Sequence, residues 1–306
     1  NPSEFRWPLA ISTSTDGLEY TTLNLVNGEI PPMRYGGNYK SFGPQYVRGI
    51  QEGNGTPPDK NMWVTYSMNK EDMWISKIPV PIKLEQTAHA DDNLNTKQNL
   101  ADLTEWNIYS PIWAPVSLEK KNGNTWIAIK DKDPFDNAKI ERKIPKTSEL
   151  NVSFQLIAGQ STNGTLQIEF LDENGISCSR LEFTPEGIFR AKGGARFGNL
   201  MQYEADKIYD IRAELSVENR SVTVYIDGKR AGVRMFYAPV QSIERIVFRT
   251  GDLRLFPTPD TPADQDFDVP NAGSQDKQAE FFIRNLKTLD LQKEHNGAIL
   301  NYDDFK

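Results

Sequence analysis

Val222-Thr223-Val224-Tyr225-Ile226-Asp227-Gly228-Lys229-Arg230-Ala231-Gly232-Val233 reads as a β-hairpin. Val222, Val224 and Ile226 alternate with Thr223 and Tyr225, the period of two that sends successive side chains to opposite faces of a strand. Asp227-Gly228 supplies two residues that tolerate positive φ, as a two-residue hairpin turn demands. Asn174-Gly175 and Glu186-Gly187 sit between similar runs, so hairpins recur at even spacing. That rhythm predicts an all-β sandwich rather than βαβ units.

The same alternation extends outward in both directions, and helical periodicity is nearly absent. Strands are expected in this region at 151–157, 165–171, 179–183, 188–191, 209–216, 245–249 and 279–289, with one more at 126–130. Nearer the start they are expected at 9–12, 21–25, 46–50, 62–66 and 73–78. Ile78-Pro79-Val80-Pro81-Ile82 ends the first group, because alternate prolines cannot donate to a ladder. The polar stretch after it predicts a linker over 83–104, so the expected organisation is 1–82, linker, a β-sandwich over 105–291 and a polar tail over 292–306. Phe256 to Lys277, with four prolines and five aspartates, reads as a long surface loop.

Composition narrows the function classes. The chain has 306 residues, 35 Lys plus Arg and 42 Asp plus Glu, for a net charge of −7. That balance offers no broad basic surface for phosphates, so nucleic acid is not expected as a partner. A single cysteine, Cys178, rules out an internal disulfide, and His89 and His295 stand far apart without ligand spacing. No apolar run approaches the roughly 20 residues of a membrane span. The start, Asn1-Pro2-Ser3-Glu4, reads as a mature or trimmed end.

The richest polar and aromatic stretch runs from Arg34 to Ile50. Arg34, Lys40 and Arg48 lie among Tyr35, Tyr39, Phe42 and Tyr46, between turn-forming glycines. An arginine fork fits a carboxylate and a tyrosine face stacks on a sugar ring, so Arg34, Tyr39, Tyr46 and Arg48 are candidate contacts for an acidic glycan. The competing reading pairs the arginines with Glu52 or Asp72 and packs the tyrosines as core. Asn69-Lys70-Glu71-Asp72 forms the tip of a hairpin between Trp63 and Trp74, which adds Lys70 and Asp72 to the candidates. A plain solvated turn with a Lys and acid pair is the favoured reading of the tip.

Ser14-Thr15-Asp16-Gly17-Leu18-Glu19-Tyr20 resembles the Asp-box turn of sialidase-like propellers, where the aspartate accepts backbone N–H groups. Gly43-Pro44-Gln45-Tyr46-Val47-Arg48-Gly49-Ile50, Trp63-Val64-Thr65-Tyr66-Ser67, Asn69-Lys70-Glu71-Asp72 and Ile78-Pro79-Val80-Pro81 resemble the closing blade of the sialidase-like (BNR-repeat) β-propeller family. The run Ile129 to Arg142 and the later strands with Ile226-Asp227-Gly228-Lys229 resemble its following concanavalin A-like, laminin-G-like sandwich, or jelly roll. The resemblance implies one or two partial propeller blades followed by that sandwich. It also implies a secreted or periplasmic glycoside hydrolase or polysaccharide lyase of acidic sugars; a non-catalytic glycan-binding or structural module is the alternative. Two blades at most fit in 1–82, so the chain is expected to be the C-terminal portion of a longer protein, or to need the remainder of a propeller from the same or another chain. By the same resemblance Arg48 is a candidate carboxylate ligand, and Tyr46 with Glu52 a candidate tyrosine and acid pair. In a regular strand Tyr46 and Arg48 share a face.

In the sandwich, Asp131, Asp133 and Asp136 invite calcium, although the spacing lacks the glycine and terminal glutamate of an EF-hand loop and Pro134 suits a plain turn. No other cofactor is expected. Trp106, Tyr109, Trp113 and Trp126 read as packing or as a sugar platform. Arg190, Lys192, Arg196 and Phe197, around Gly193-Gly194, form a small basic and aromatic loop as compatible with solvent as with a site.

Overall fold

The computed structural model describes residues 8–29, 31, 33–34, 43–50, 59, 61–82, 85–251 and 275–291. The chain divides into two compact units. The first holds the described residues before position 83, with Pro134–Asp136 and Gln275; the second holds the described remainder.

In the first unit β1 (Leu9–Ile11) pairs with β2 (Asn24–Asn27), and β3 (Pro44–Ile50), β4 (Met62–Met68) and β5 (Asp72–Ile78) form an antiparallel meander. Alternation along β4 sends Val64, Tyr66 and Met68 to one face, where they meet Leu9, Val26 and Trp74. The Tyr66 hydroxyl accepts from Asn27 Nδ2 at 2.9 Å and shares a hydrogen bond with Ser76 Oγ at 2.9 Å. The β4–β5 turn is held from within. Buried Asn69 accepts the Gly43 N–H at 2.8 Å and donates to the Pro31 carbonyl at 2.7 Å. The opposite face of the meander leaves Met73 70% and Ile75 60% exposed.

The turn at Ser14–Glu19 has the geometry its sequence suggests. Asp16 Oδ1 accepts the backbone N–H groups of Leu18 and Glu19 at 2.8 and 2.9 Å, and the Ser14 hydroxyl at 2.9 Å. Tyr20, however, is exposed.

The second unit is a sandwich of two seven-stranded sheets, and every pairing among the described residues is antiparallel. Its strands are β6 (Trp106–Tyr109), β7 (Val116–Lys121), β8 (Asn124–Asp131), β9 (Lys139–Thr147), β10 (Glu149–Ala158), β11 (Leu166–Leu171) and β12 (Ser177–Phe183). They continue as β13 (Ile188–Gly193), β14 (Arg196–Gln202), β15 (Ile208–Ser216), β16 (Ser221–Ile226), β17 (Lys229–Met235), β18 (Ile243–Thr250) and β19 (Ala279–Asp290). One sheet runs β17-β16-β15-β10-β19-β8-β7 and the other β14-β13-β12-β11-β18-β9-β6. The order interleaves strands distant in sequence, as a jelly roll does. At the β16–β17 turn Asp227 and Gly228 have φ of 50° and 77°, the conformation the opening hairpin calls for.

The two sheets meet through their apolar faces. Val152, Phe154 and Leu156 of β10 face Ile168, Phe170, Ile246 and Phe248 in one continuous core. Phe154 stands edge-on to Phe248 at 5.1 Å between centroids, and Trp106 approaches the same ring at 6.3 Å. Cys178 is buried in this core, which pushes its thiol up to about 12.

The stretch expected as a linker is instead fastened to the sandwich over residues 85–104. Ala90, Leu94 and Leu103 are buried in the same core, and Asp92 N–H donates to the Leu286 carbonyl at 2.9 Å. Its polar composition conceals these anchors. Arg142, an inward-facing residue of β9, is buried, and Asp92 accepts from its Nε and Nη2 at 3.1 and 3.2 Å and from Trp106 Nε1 at 3.0 Å. The strap therefore carries the counter-ion for a charge that the sheet buries.

Three outcomes follow from these contacts. Asp92→Ala or Arg142→Met alone should cost about 3–5 kcal/mol in urea unfolding, since each leaves a buried polar partner, while the double variant should cost clearly less than the sum. Cys178 should resist thiol reagents in the native protein and react fully on unfolding. Asp16, held down to about 2 from 3.8 chiefly by the Glu19 and Leu18 N–H groups, should titrate near that value by NMR. Its folded value is the lower one, so its contribution to stability is present above 3.8 and is lost as pH falls through about 2.

Candidate functional site

The sheet β14-β13-β12-β11-β18-β9-β6 turns its second face away from the core. Inward Leu166, Ile168 and Phe170 leave Gln167 and Glu169 of β11 on that face, and the register carries the pattern across every strand. One cross-strand row reads Tyr109, Lys139, Arg249, Gln167, Glu182, Arg190, Asn199. A second reads Asn107, Glu141, Val247, Glu169, Arg180. Together with Lys143, Lys192 and Arg245, which share the alternation, the face carries seven cations against three glutamates, in a chain of net charge −7.

The ion pairs of Glu169 on it are shielded. Arg180 donates from Nε and Nη2 to Glu169 Oε1 at 2.9 and 2.6 Å, with the two side chains 10% and 9% exposed. Arg249 Nη2 lies 3.5 Å from Glu169 Oε2, and Arg249 also donates to Gln167. Arg190 Nε donates to Glu182 Oε1 at 2.7 Å. Tyr237, from the β17–β18 connection, lies between two cations, with Arg180 at 5.6 Å and Lys192 at 4.4 Å from its ring. Its hydroxyl bonds to Ser177, and burial raises its pKa despite that bond and the Arg180 charge. Arg190 lies 4.3 Å from the Phe197 ring. Behind this end the Arg234 guanidinium fills the space over Gly198, where an added Cβ would stand 2.1 Å from Nη2.

This arrangement suits recognition of a polar ligand. Guanidinium forks, an ammonium and aromatic edges point from one rigid sheet, and the acids hold the arginine planes in place. Arg190, Lys192 and Phe197, expected in a loop, sit on paired strands β13 and β14. Arg180, Glu169, Glu182, Gln167, Arg249 and Tyr237 are not recognisable from local sequence. Their signal is opposite charges at outward positions of strands that only the fold makes neighbours, such as 167 and 249.

The candidates of the first unit are distributed differently. Arg34 donates its backbone N–H to the Glu71 carboxylate at 3.1 and 3.0 Å, so its place is tied to the turn. Tyr46, 62% exposed, has φ of 54°, and a bulge lies between Gln45 and Arg48. The regular strand that would put Tyr46 and Arg48 on one face is therefore broken between them. Arg48 is exposed opposite Thr65, while Lys70 and Asp72 are exposed at the β4–β5 turn. Tyr39 and Glu52 lie outside the described residues, and with Glu52 the candidate tyrosine and acid pair.

Asp131, Asp133 and Asp136 are buried, and Asp131 Oδ1 accepts the Asp133 N–H at 2.9 Å in a turn. Among the described residues no three His, Cys, Asp or Glu side chains gather as a metal site. Trp106 and Trp126 are buried in core clusters, which leaves them unable to serve as a sugar platform. No helix among the described residues is long and apolar enough to cross a membrane.

The sequence profile of the family described as "Sialidase-like, CBM domain" matches residues 106–265, about half of the chain and the bulk of the sandwich. The chain belongs to this family. A solved structure described as "Sialidase" is 65% identical with a TM-score of 0.90, over 100% of this chain and 28% of that one. This chain thus spans little more than a quarter of that protein's length. The alginate lyase AlgAT5 of Polysaccharide Lyase family 7 is 13% identical, with a TM-score of 0.42 over 61% of this chain and 95% of that one. The carbohydrate recognition domain of Emp47p is 11% identical, with a TM-score of 0.42 over 65% of this chain and 93% of that one. No curated protein gives a match.

If the polar face is held by its internal pairs, Glu169→Gln should loosen Arg180 and Arg249 together. The expected loss is about 1–3 kcal/mol in chemical denaturation, larger than for Glu204→Gln on the surface, where exposed Lys207 is the partner.

Proposed function

We propose that the chain is the glycan-binding portion of a longer, secreted or periplasmic, sialidase-like carbohydrate-active protein, and that its ligands are glycans with acidic sugars. The observation that carries this reading is the net positive face of the β14 to β6 sheet on an acidic chain that belongs to a carbohydrate-binding family. Membership favours a sugar; the excess of cations on a shielded face favours an anionic one. In this reading the sandwich supplies binding, and the groups that break or eliminate a glycosidic bond come from the rest of the longer protein.

The first unit supports the same reading. The exposed Met73 and Ile75 of the meander present an apolar face of the kind that a neighbouring propeller blade would cover, and the 28% span of the sialidase relative leaves room for such blades.

A glycan array probed with this chain at low and at physiological salt tests the reading. Binding should concentrate on sialylated or uronate-containing glycans and weaken as salt rises, because the ligand charge is paired near the surface. Retention of neutral glycans alone, indifferent to salt, would contradict it.

A further inference from the structure

The face is not uniform along its length, and one end of it differs in how its charges are matched. Arg180 gives its Nε and Nη2 edge to Glu169 and lies 5.6 Å from the Tyr237 ring, with the two side chains of the ion pair 10% and 9% exposed. Lys192 has no carboxylate partner among the described residues; its ammonium rests 4.4 Å from the Tyr237 ring. Arg190 is engaged on one side only. Glu182 takes the Nε and Nη2 edge, which leaves Nη1 without a partner among the described residues on a side chain 35% exposed.

We propose that Arg190, Lys192 and Phe197 form a subsite for the carboxylate of an acidic sugar, at the β13–β14 end of the polar face. The proposal rests on the glycan-binding reading above and gives it an address. Arg190 and Lys192 are two apart on β13 and so share a face, roughly 7 Å apart along the strand. Phe197 stands directly opposite Lys192 in the ladder, and its ring lies 4.3 Å from the Arg190 guanidinium. Two cations are thus brought together, with Arg180 beside them on the neighbouring strand β12.

Such a cluster is electrostatically unfavourable without an anion, since like charges at this range repel and Glu182 compensates only one of them. A carboxylate seated against Arg190 Nη1 and Lys192 Nζ would relieve it, with a charge-assisted hydrogen bond from each. The apolar face of the same pyranose would lie against the Phe197 ring. Glu182 orients the arginine fork and Tyr237 orients the lysine; both are positioning residues. The ligand chemistry is a carboxylated pyranose, which a sialic acid and a uronic acid both supply.

Calorimetric and NMR titrations of the intact chain separate the outcomes. The probes are the α-methyl glycoside of N-acetylneuraminic acid, trigalacturonic acid and neutral methyl galactoside, against wild type, Lys192→Met and Arg190→Gln. Lys192 holds no acid, so Lys192→Met should keep the thermal midpoint of wild type, and it serves where Arg190→Gln disturbs Glu182. At least one acidic probe should bind, the neutral one should not, and each variant should weaken binding roughly tenfold or more. Which acidic probe binds tells sialic acid from uronate. Acidic binding that both variants leave unchanged would overturn the subsite while the glycan-binding reading stands. Loss of binding to all glycans in the wild type would overturn both.

Discussion

The contact on which the rest of the molecule depends is the edge-to-face meeting of Phe154 and Phe248 across the sandwich. It fixes which face of each sheet is inside. Once Phe248 points inward, Arg249 and Val247 must point out, and the pairing of β18 with β9 and β11 passes that choice to Lys139, Gln167 and every strand beyond. The polar face is therefore the obligatory reverse side of the core. A one-residue slip of β18 would bury Arg249 and expose Phe248, at a cost that a domain of marginal stability does not survive.

The same logic explains the strap over residues 85–104. One inward position, Arg142, carries a charge, and the core is closed only because Asp92 meets it. A buried ion pair of this kind adds little net stability over an apolar pair. It does tie the docking of the strap to Asp92, because losing either partner leaves the other charge buried without its counter-ion.

Most of the fold is legible in the sequence where alternation is clean. Val222 to Ile226 with Asp227-Gly228, and Asn151 to Ile157, announce strands and turn without ambiguity. β6, β7, β9 and β14 are not announced, each for a local reason. β9 has arginine at a core position and Pro145 within it, β14 and β7 are edge strands partly exposed along their length, and β6 is short. The strap is hidden because Ala90, Leu94 and Leu103 are sparse among polar residues while their partners, such as Leu286, lie far along the chain. Of the site, the basic and aromatic residues around Gly193-Gly194 are visible as a cluster. Their pairing with Glu182 and Tyr237 is not, because a ladder and a distant connection create it. Tyr46 and Arg48 show the converse, since spacing alone places them together and a bulge separates them.

The surface proposed to meet glycan is the β14 to β6 face. Residue-resolved chemical-shift mapping of this chain during titration with an acidic oligosaccharide tests that most directly. Perturbations should concentrate at Arg190, Lys192, Phe197 and Tyr237 and fade along the rows toward Tyr109. Perturbations confined to the first unit, around Arg48 and Lys70, or to the outward face of the other sheet, would contradict it.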